Sequence, residues 1–316
     1  MEYRNIGKSD LKVSLAGLGC NNFSGRIDLD TSRLVIEEAL EHGINFFDTA
    51  DVYGGKGGSE EFLGKILGPK RKQIILATKF GMPMNESETL SGASRAYIFK
   101  AVEDSLKRLN TDWIDLYQVH RPDIDVSSEE TMRALSDLVS QGKVRYLGCS
   151  NYSSVQLKDA QQIFDSFESK QFISSQDEYS LLVREIENEL IPSLESLNMG
   201  LIPYFPIASG LLSGKYSQLK SFPNNSRFAA WPQLAERYTT KKNWSTINIL
   251  EIFCKKNNLK LLDVALGWLA SKPFVSSIIA GATSADQVRE NINSLEKKLS
   301  KDEIKEIENI LDEESK

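Results

Sequence analysis

The sequence predicts an α/β fold in which eight strand–helix units close into a (β/α)8 TIM barrel. Short apolar or β-branched runs alternate with longer amphipathic stretches along nearly the whole chain, as parallel strands inside a layer of helices require. In the competing doubly wound fold, the first strand leads through a glycine-rich turn into a helix. The segment 17–22 (GLGCNN) lacks the third glycine of that turn and runs into a loop. The predicted strands are residues 15–19, 44–48, 74–79, 114–120, 144–150, 172–178, 201–205 and 275–279.

Helices are predicted between these strands, and capping residues indicate where they begin and end. The helix 31–41 is expected to begin after Asp30, as its N-cap, and to be closed by Gly43. The helix 129–141 is expected to be closed by Gly142. Both helices fit the outer layer of a barrel.

Further elements are predicted at both ends of the chain. Residues 3–6 and 11–15 flank the turn 7–10, a pattern that predicts a hairpin closing the floor of the barrel. Residues 301–311 are amphipathic and predict an extra C-terminal helix. No linker interrupts the series, so we expect a single domain over residues 1–316.

Two stretches are predicted to lack regular structure. Residues 215–243 contain prolines, asparagines and the aromatics Phe222, Phe228 and Trp231, and we expect a long loop over the active-site mouth. The glycine-rich stretch 54–59 (GGKGGS) does not have the spacing of a phosphate-binding loop. It is interpreted as a flexible loop.

Composition and charge favour a small-molecule role. The 316 residues carry a formal net charge of -6, so no chain-wide positive field attracts nucleic acid or anionic lipid. No apolar run approaches the length of a membrane span, and the start lacks the apolar core of a secretion signal. The cysteines, Cys20, Cys149 and Cys254, have no CxxC spacing and are expected to be buried thiols. We therefore expect a cytoplasmic protein without a nucleic-acid or membrane partner.

Polar residues fall at the predicted strand ends. Barrel enzymes place their chemistry at the C-terminal ends of the strands, because the barrel interior is filled by packed side chains. One such residue alone could be a helix cap or a turn former, but a whole rim of them indicates an active site. The residues at or just after the strand ends are Asp48, Lys79, His120, Ser150, Asn151, Gln176, Tyr204 and Gly281.

Tyr53, together with three of these strand-end residues, suggests an acid–base mechanism. The phenol of Tyr53 is a weak acid, and we expect the ammonium of Lys79 to lower its pKa. Asp48 would hold that ammonium in place, and His120 would orient a carbonyl oxygen through a ring N–H. A plain Lys79–Asp48 ion pair is the alternative. No ligand cluster for a metal is present, so an organic cofactor is expected to supply any hydride.

The segment 43–54 (GINFFDTADVYG) resembles the signature segment of the aldo-keto reductases. The resemblance extends to residues 78–79, 119–120, 148–151, 204–216 and 279–291, and thus covers nearly the whole chain. It implies a catalytic tetrad of Asp48, Tyr53, Lys79 and His120.

The same resemblance implies how a nicotinamide cofactor would bind. Ser150, Asn151 and Gln176 would hold the carboxamide, and Tyr204 would stack on the ring. NADPH is favoured, with NADH open, because Thr283 and Gln287 match a branch of bacterial reductases and potassium-channel beta subunits. Glu290 and Asn291 would meet the adenine, unless they are solvated residues of a surface helix. The other implied cofactor contacts are Pro206, Ile207, Ser209, Gly210, Leu212, Gly214, Lys215, Arg227 and Gly281.

These implications predict an NADPH-dependent reductase of aldehydes or ketones, with Tyr53 as the proton donor and a small-molecule carbonyl as the partner. Two alternatives stay open: an NAD-dependent sugar or polyol dehydrogenase, and a redox-sensing subunit similar to the channel beta subunits. The tail 312–316 lacks an aromatic loop that would define the substrate. By position alone, Phe23, Trp231 and Arg121 are candidates for the substrate pocket.

Overall fold

An N-terminal hairpin precedes the main sheet. The structure, a computed structural model, describes residues 1–87, 89–218, 221–224 and 226–314. Strand β1 (Tyr3–Asn5) pairs antiparallel with β2 (Lys12–Ser14). Ile6, Leu11 and Val13 pack in one buried cluster with side chains from the barrel interior. The hairpin therefore closes the barrel floor, as the sequence predicts.

Eight parallel strands form the barrel, which confirms the predicted fold. Hydrogen bonds from Leu201 N to Phe274 O (2.8 Å) and from Ser276 N to Leu201 O (2.9 Å) join its two ends. In the order β10-β3-β4-β5-β6-β7-β8-β9, neighbouring strands pair with one another. The strands are β3 (Ala16–Gly19), β4 (Phe46–Asp48), β5 (Ile75–Phe80), β6 (Ile114–Val119), β7 (Val144–Ser150), β8 (Phe172–Glu178), β9 (Gly200–Tyr204) and β10 (Ile278–Gly281).

The last strand lies further along the chain than the predicted 275–279. Val275 forms only an isolated bridge with Leu201 of β9, whereas residues from Ile278 onward pair with β3. The segment before Ile278 thus crosses from one neighbouring strand to the other. Regular pairing begins only after that crossing.

Helices surround the barrel. No helix in the described part of the chain is both long and apolar enough to cross a membrane. The helices are α1 (Leu29–Glu41), α2 (Tyr53–Leu67), α3 (Arg95–Leu109), α4 (Ser128–Ser140), α5 (Ser154–Ser166), α6 (Leu190–Ser196), α7 (Arg227–Ala230), α8 (Pro232–Tyr238), α9 (Lys241–Asn257), α10 (Leu261–Ala270), α11 (Ala285–Glu296) and α12 (Lys301–Glu314).

The first helix begins earlier than predicted. Asp28, not Asp30, is its N-cap, because Asp28 has an extended backbone and its side chain accepts a hydrogen bond from Thr31 N at 2.9 Å. Asp30 lies in the first turn, where a carboxylate also favours the helix dipole. The extra C-terminal helix is confirmed as α12.

The predicted irregular stretches contain more structure than expected. Residues 54–57 form a turn with positive φ angles just after Tyr53, and regular helix follows it. Residues 215–243 include α7, α8 and the start of α9, so the prediction of one long loop is wrong. Ring contacts between Phe228 and Tyr216 (4.7 Å) and between Phe228 and Phe222 (5.4 Å) hold this segment together. Residues 219, 220 and 225 of it lie outside the described residues.

The three cysteines are buried free thiols, as predicted. They lie on β7 (Cys149), in α9 (Cys254) and directly after β3 (Cys20). None of the three forms a disulfide, and their burial fits a structural role in the core.

Candidate active site

A cavity of about 610 Å³ opens at the C-terminal ends of the barrel strands. This volume is typical of a small-molecule or cofactor site. Asp48 ends β4, Ser150 ends β7 and Gly281 ends β10, and all three line the cavity. Parallel strands bring their carboxyl ends to one rim, which is why residues far apart in sequence meet here.

Asp48, Tyr53, Lys79 and His120 come together at one side of the cavity. The Lys79 Nζ donates to Asp48 Oδ2 and to Thr49 O, each at 2.7 Å, and makes a long hydrogen bond to the Tyr53 hydroxyl at 3.4 Å. Neighbouring strands β4 and β5 carry the aspartate and the lysine, and α2 begins at the tyrosine. Asp48, Tyr53 and His120 line the cavity, whereas Lys79 is fully buried behind them.

The lysine keeps its charge in this buried position. Burial alone lowers the pKa of Lys79, but the charges and hydrogen bonds of Asp48 and Tyr53 together raise it above its ordinary value. A buried ammonium is costly unless it is paired and hydrogen-bonded, and here it has three partners. A fixed positive charge therefore lies beside the phenol.

The phenol holds its proton more strongly than the sequence reasoning expected. Burial raises the pKa of Tyr53, Lys79 opposes that shift, and Asp48 adds to it. The predicted net lowering by Lys79 is therefore wrong for the free protein, because desolvation exceeds the effect of the ammonium. A protonated hydroxyl is the form that an acid must have before it donates.

His120 is a neutral imidazole at neutral pH. Burial, with the positive charges of Lys79 and Arg121, lowers the pKa of His120 to about 3. Its ring meets that of Tyr53 edge-on, with centroids 5.8 Å apart. The Nδ1 atom is buried and has no hydrogen-bond partner in the described residues.

Two glutamines hold the second oxygen of the aspartate. Gln176 Nε2 and Gln118 Nε2 donate to Asp48 Oδ1 at 2.8 and 3.2 Å. Sequence reasoning named Gln176 but missed Gln118, which lies inside β6 and not at its end. The alternation of side chains along the strand directs Gln118 into the barrel interior, and this was the signal that could have identified it.

The residues expected at the nicotinamide form one hydrogen-bonded group. Ser150 Oγ donates to Gln176 O at 2.7 Å, and Asn151 Nδ2 donates to Ser150 Oγ at 2.9 Å and to His120 O at 3.0 Å. The Tyr204 hydroxyl donates to Asn151 Oδ1 at 2.9 Å. All of these side chains line the cavity, so the group connects the catalytic side to the Tyr204 ring.

Three cations, Arg26, Lys215 and Arg227, also line the cavity. Burial, with repulsion from Arg26, lowers the pKa of Arg227 to about 10, and partial burial with repulsion from both arginines lowers the pKa of Lys215. Ser209 Oγ and Arg227 Nε are buried without a hydrogen-bond partner in the residues that the structure describes. Crowded positive charge with uncommitted polar atoms fits a phosphate-containing ligand.

The other predicted cofactor contacts also line the cavity, with one exception. Leu212 is fully buried in the main hydrophobic core, because the residues before it turn through positive φ angles at Ser209 and Gly210. The prediction of Leu212 as a cofactor contact therefore disagrees with the structure. The lining residues are Pro206, Ile207, Ser209, Gly210, Gly214, Lys215, Arg227, Gly281, Thr283, Gln287, Glu290 and Asn291.

Several lining residues were not predicted. Asn21 and Arg26 follow β3, the first barrel strand, so the strand-end rule should have included them. Of the three pocket candidates, Arg121 lines the cavity and Phe23 is buried in the core. Trp231 contacts the guanidinium groups of Arg26 and Arg227, which lie 5.6 and 5.0 Å from its ring centroid. The remaining lining residues without a prediction are Gly19, Cys20, Asn22, Phe205, Ser213, Arg237, Leu262 and Ile279.

The site has the features of a cofactor-dependent enzyme and not of a metal centre. Within the described ranges, no group of three or more His, Cys, Asp or Glu residues is arranged to hold a metal ion. Three of the four acid–base side chains and the three cations line the same cavity, and the charge of Arg227 also acts on the Tyr53 hydroxyl.

Comparison with known proteins agrees with this arrangement. The sequence model of the Aldo/keto reductase family matches residues 16–312. The chain is 34% identical to a "Probable voltage-gated potassium channel subunit beta" of Arabidopsis thaliana, with 94% of this chain and 92% of the relative covered. It is 35% identical to an uncharacterized oxidoreductase of Bacillus subtilis (96% and 93% covered) and 32% identical to an "L-glyceraldehyde 3-phosphate reductase" of Escherichia coli O157:H7 (93% and 88% covered). The protein therefore belongs to the aldo/keto reductase family and is an NAD(P)H-dependent oxidoreductase with a general role in carbonyl reduction.

Proposed function

We propose that this protein uses NADPH to reduce aldehydes or ketones to alcohols and that Tyr53 donates the proton. The observation that carries the proposal is the position of Lys79 Nζ, 2.7 Å from Asp48 Oδ2 and 3.4 Å from the Tyr53 hydroxyl. A phenol beside a fixed ammonium can lose its proton during the reaction, because the positive charge stabilises the phenolate that remains.

Each side chain of the tetrad has a separate task in this proposal. Tyr53 transfers its hydroxyl proton to the carbonyl oxygen of the substrate. Lys79 stabilises the phenolate, and Asp48 keeps the lysine charged and in position. His120, neutral at the working pH, donates a ring N–H to the carbonyl oxygen as negative charge develops there. A bound nicotinamide supplies the hydride that the carbonyl carbon accepts.

The cavity fits a dinucleotide that carries phosphates. Lys215, Arg227 and Arg26 would hold the pyrophosphate, since their mutual repulsion is relieved when an anion binds between them. Gln287 Oε1 accepts from Thr283 N at 2.8 Å and from Thr283 Oγ1 at 3.2 Å. Its Nε2 makes no hydrogen bond within the described residues and would donate to the 2′-phosphate on the adenosine ribose. Because only NADPH carries that phosphate, this donor supports NADPH over NADH.

The deciding experiment follows the absorbance of NADPH or NADH with a panel of aldehydes and ketones. The panel includes L-glyceraldehyde 3-phosphate, because the name of the Escherichia coli relative contains that compound. We expect turnover with NADPH, a lower kcat/KM with NADH, and loss of about 10²- to 10⁴-fold in kcat for Tyr53→Phe, the range typical of a general acid.

Tyr3→Phe is the matched control, because it removes the same hydroxyl group from an exposed tyrosine of the hairpin. It is expected to keep wild-type activity. Equal turnover by Tyr53→Phe and wild type would overturn the role of Tyr53. Turnover with NADH alone would overturn the cofactor proposal.

A second candidate is a redox-sensing subunit whose cofactor state changes a partner. The observation in its favour is the 34% identity to the Arabidopsis relative over 94% of this chain. It predicts that the protein binds NADPH tightly but turns over no carbonyl in the panel. Multiple turnovers per active site in the same assay exclude a purely sensing role.

A further inference from the structure

Arg121 is a positively charged residue at the reacting side of the cavity. It directly follows His120 in the loop after β6, lines the cavity and is exposed. Its charge acts on the imidazole of His120 and on the hydroxyl of Tyr204. In the part of the chain that the structure describes, no carboxylate pairs with Arg121 and no hydrogen bond uses its guanidinium donors. The donors of this side chain are thus available to a ligand.

A second guanidinium lies close to the same place. Arg237 of α8 lines the cavity, and its charge also acts on the Tyr204 hydroxyl. It pairs with Glu178, a carboxylate that also accepts a hydrogen bond from Tyr238. Glu178 is not among the lining residues of the cavity, and neither is the nearby Asp177. The described lining residues that carry carboxylates are Asp48, which pairs with Lys79, and Glu290 of α11, and neither pairs with Arg121.

The cofactor does not account for these two arginines. Lys215, Arg227 and Arg26 act on one another, and the proposed function assigns these three cations to the cofactor phosphates. Arg121 instead adjoins the imidazole that would bind the carbonyl oxygen. An anion held by Arg121 would belong to the molecule that is being reduced.

We propose that Arg121 binds a phosphate or carboxylate group of the carbonyl substrate, with Arg237 as a second cation of the same cavity, and that the preferred substrates are short anionic aldehydes. A guanidinium presents parallel N–H donors that match the oxygens of both groups. The inference rests on the proposed function, because it names the substrate class of that same site. It adds no chemical step: the aldehyde carbon still accepts the hydride, and the oxygen still accepts the proton of Tyr53.

The test compares matched pairs of aldehydes with the cofactor-loaded enzyme. Glyceraldehyde 3-phosphate is paired with glyceraldehyde, and succinic semialdehyde is paired with butanal, so that the two anions are tested separately. We expect KM to be about tenfold lower for at least one anionic aldehyde than for its neutral partner. One hydrogen bond to a charged group contributes binding free energy of that size. That advantage should shrink as salt is added, because the contact is partly exposed.

Three variants assign the effect to the residue. Arg121→Gln should remove the advantage of the anionic substrate, leave KM for the neutral partner unchanged and leave the affinity for NADPH unchanged. Arg121→Lys should restore part of it, since the charge remains but the paired donors are lost. Arg133→Gln is the control, because it removes an exposed arginine of α4 that pairs with Glu129 and lies outside the cavity.

The outcomes separate this inference from the proposed function. Turnover with equal KM for charged and neutral partners, or an equal effect of Arg121→Gln on both, would overturn the anion site and leave the reductase proposal standing. A weaker affinity of Arg121→Gln for NADPH would assign the arginine to the cofactor instead. No turnover with any of the four aldehydes would overturn the anion site, and the reductase proposal would fall with it only if the wider panel of aldehydes and ketones were also not reduced.

Discussion

Gln176 donates a hydrogen bond to Asp48 across the barrel, from Nε2 to Oδ1 at 2.8 Å. The other oxygen of this carboxylate accepts from Lys79, so the aspartate is held from two sides. Gln118 adds a third contact to Asp48 at 3.2 Å and accepts a hydrogen bond from Gln176 at 3.3 Å. The ion pair beside the phenol is therefore part of a larger buried network, and its geometry depends on residues that touch no substrate.

The first prediction concerns Gln118. Gln118→Met keeps the volume of this fully buried side chain but removes its donor to Asp48 and its acceptor for Gln176. We expect the free energy of unfolding to fall by about 1–3 kcal/mol, because the partners lose buried hydrogen bonds. We also expect kcat to fall more than KM rises, since the tetrad is less well positioned. Denaturant titration and steady-state kinetics measure the two effects.

Gln141→Met at the exposed end of α4 is the control for Gln118→Met. It should change neither quantity, because its side chain makes no buried contact. Wild-type stability and kinetics for Gln118→Met would contradict a positioning role for the network.

Strand ends in the sequence locate Asp48, Lys79 and His120 because a closed parallel barrel leaves little choice of where such residues meet. The same reasoning misses Gln118, which lies one residue before the end of β6. It also misplaces Leu212, whose direction depends on positive φ angles at Ser209 and Gly210. Local turns of that kind are set by tertiary packing. Periodicity in the sequence does not contain them.

The direction of the net pKa shift of Tyr53 also could not be predicted from the sequence. The sequence predicts the neighbours that act on the phenol, Lys79 and Asp48. It does not give the depth of burial, and burial is the largest influence on the pKa of this group. The sign of the shift in the free protein is therefore a result of packing.

The second prediction concerns Asp51, which is 1% exposed and has no hydrogen-bond partner for either side-chain oxygen among the described residues. Burial, with the negative charge of Glu60, raises the pKa of Asp51 from 3.8 to about 8, although Arg108 and Lys79 oppose the shift. The folded state thus keeps a proton that the unfolded state has already lost. Stability that depends on this proton is complete at low pH and is lost as pH rises through 8.

The comparison with Asp51→Asn isolates the titration of Asp51, because both proteins carry the other shifted groups, such as Asp177 with a raised pKa of about 6 and His120 with a lowered pKa of about 3. Between pH 6 and 8, we expect wild type to lose stability relative to Asp51→Asn by up to about 1.4 kcal/mol per pH unit. The loss levels off above pH 8, where the folded state gives up this proton as well. Denaturant titrations at three pH values measure this slope. Asp104→Asn is the control, because it changes an exposed carboxylate of α3, and it should leave the slope of stability against pH unaltered. Equal slopes for wild type and Asp51→Asn would contradict the prediction.

The third prediction concerns the pH dependence of catalysis. A lowered pKa of about 3 keeps His120 neutral throughout the ordinary assay range. We expect no change in log kcat/KM near pH 6.5, where an exposed histidine would titrate. The measurement is a pH profile of wild type between pH 5 and 8, with His120→Gln for comparison.

His120→Gln keeps an N–H donor, and it should lower kcat without changing the shape of the profile. A step near pH 6.5 that is present in wild type and missing in His120→Gln would show that the imidazole is charged at neutral pH. That result would contradict the neutral donor role.

The fourth prediction concerns Lys215 at the phosphate side of the cavity. Burial, with repulsion from Arg26 and Arg227, lowers the pKa of Lys215, and a bound anion would relieve the repulsion among the three charges. Lys215→Gln removes one charge-assisted contact, and we expect the Kd for NADPH to rise about tenfold. Quenching of protein fluorescence during NADPH titration measures this change. The dependence of Kd on salt should become shallower, because fewer charges meet the phosphates.

Lys241→Gln is the control for Lys215→Gln, because this exposed residue at the start of α9 does not line the cavity. It should bind NADPH as tightly as wild type does. An unchanged Kd for Lys215→Gln would mean that the phosphates lie elsewhere in the cavity. Arg121 would then be the first alternative, because it is a cation at the reacting side, and the assignment of its charge to the substrate would have to be reversed.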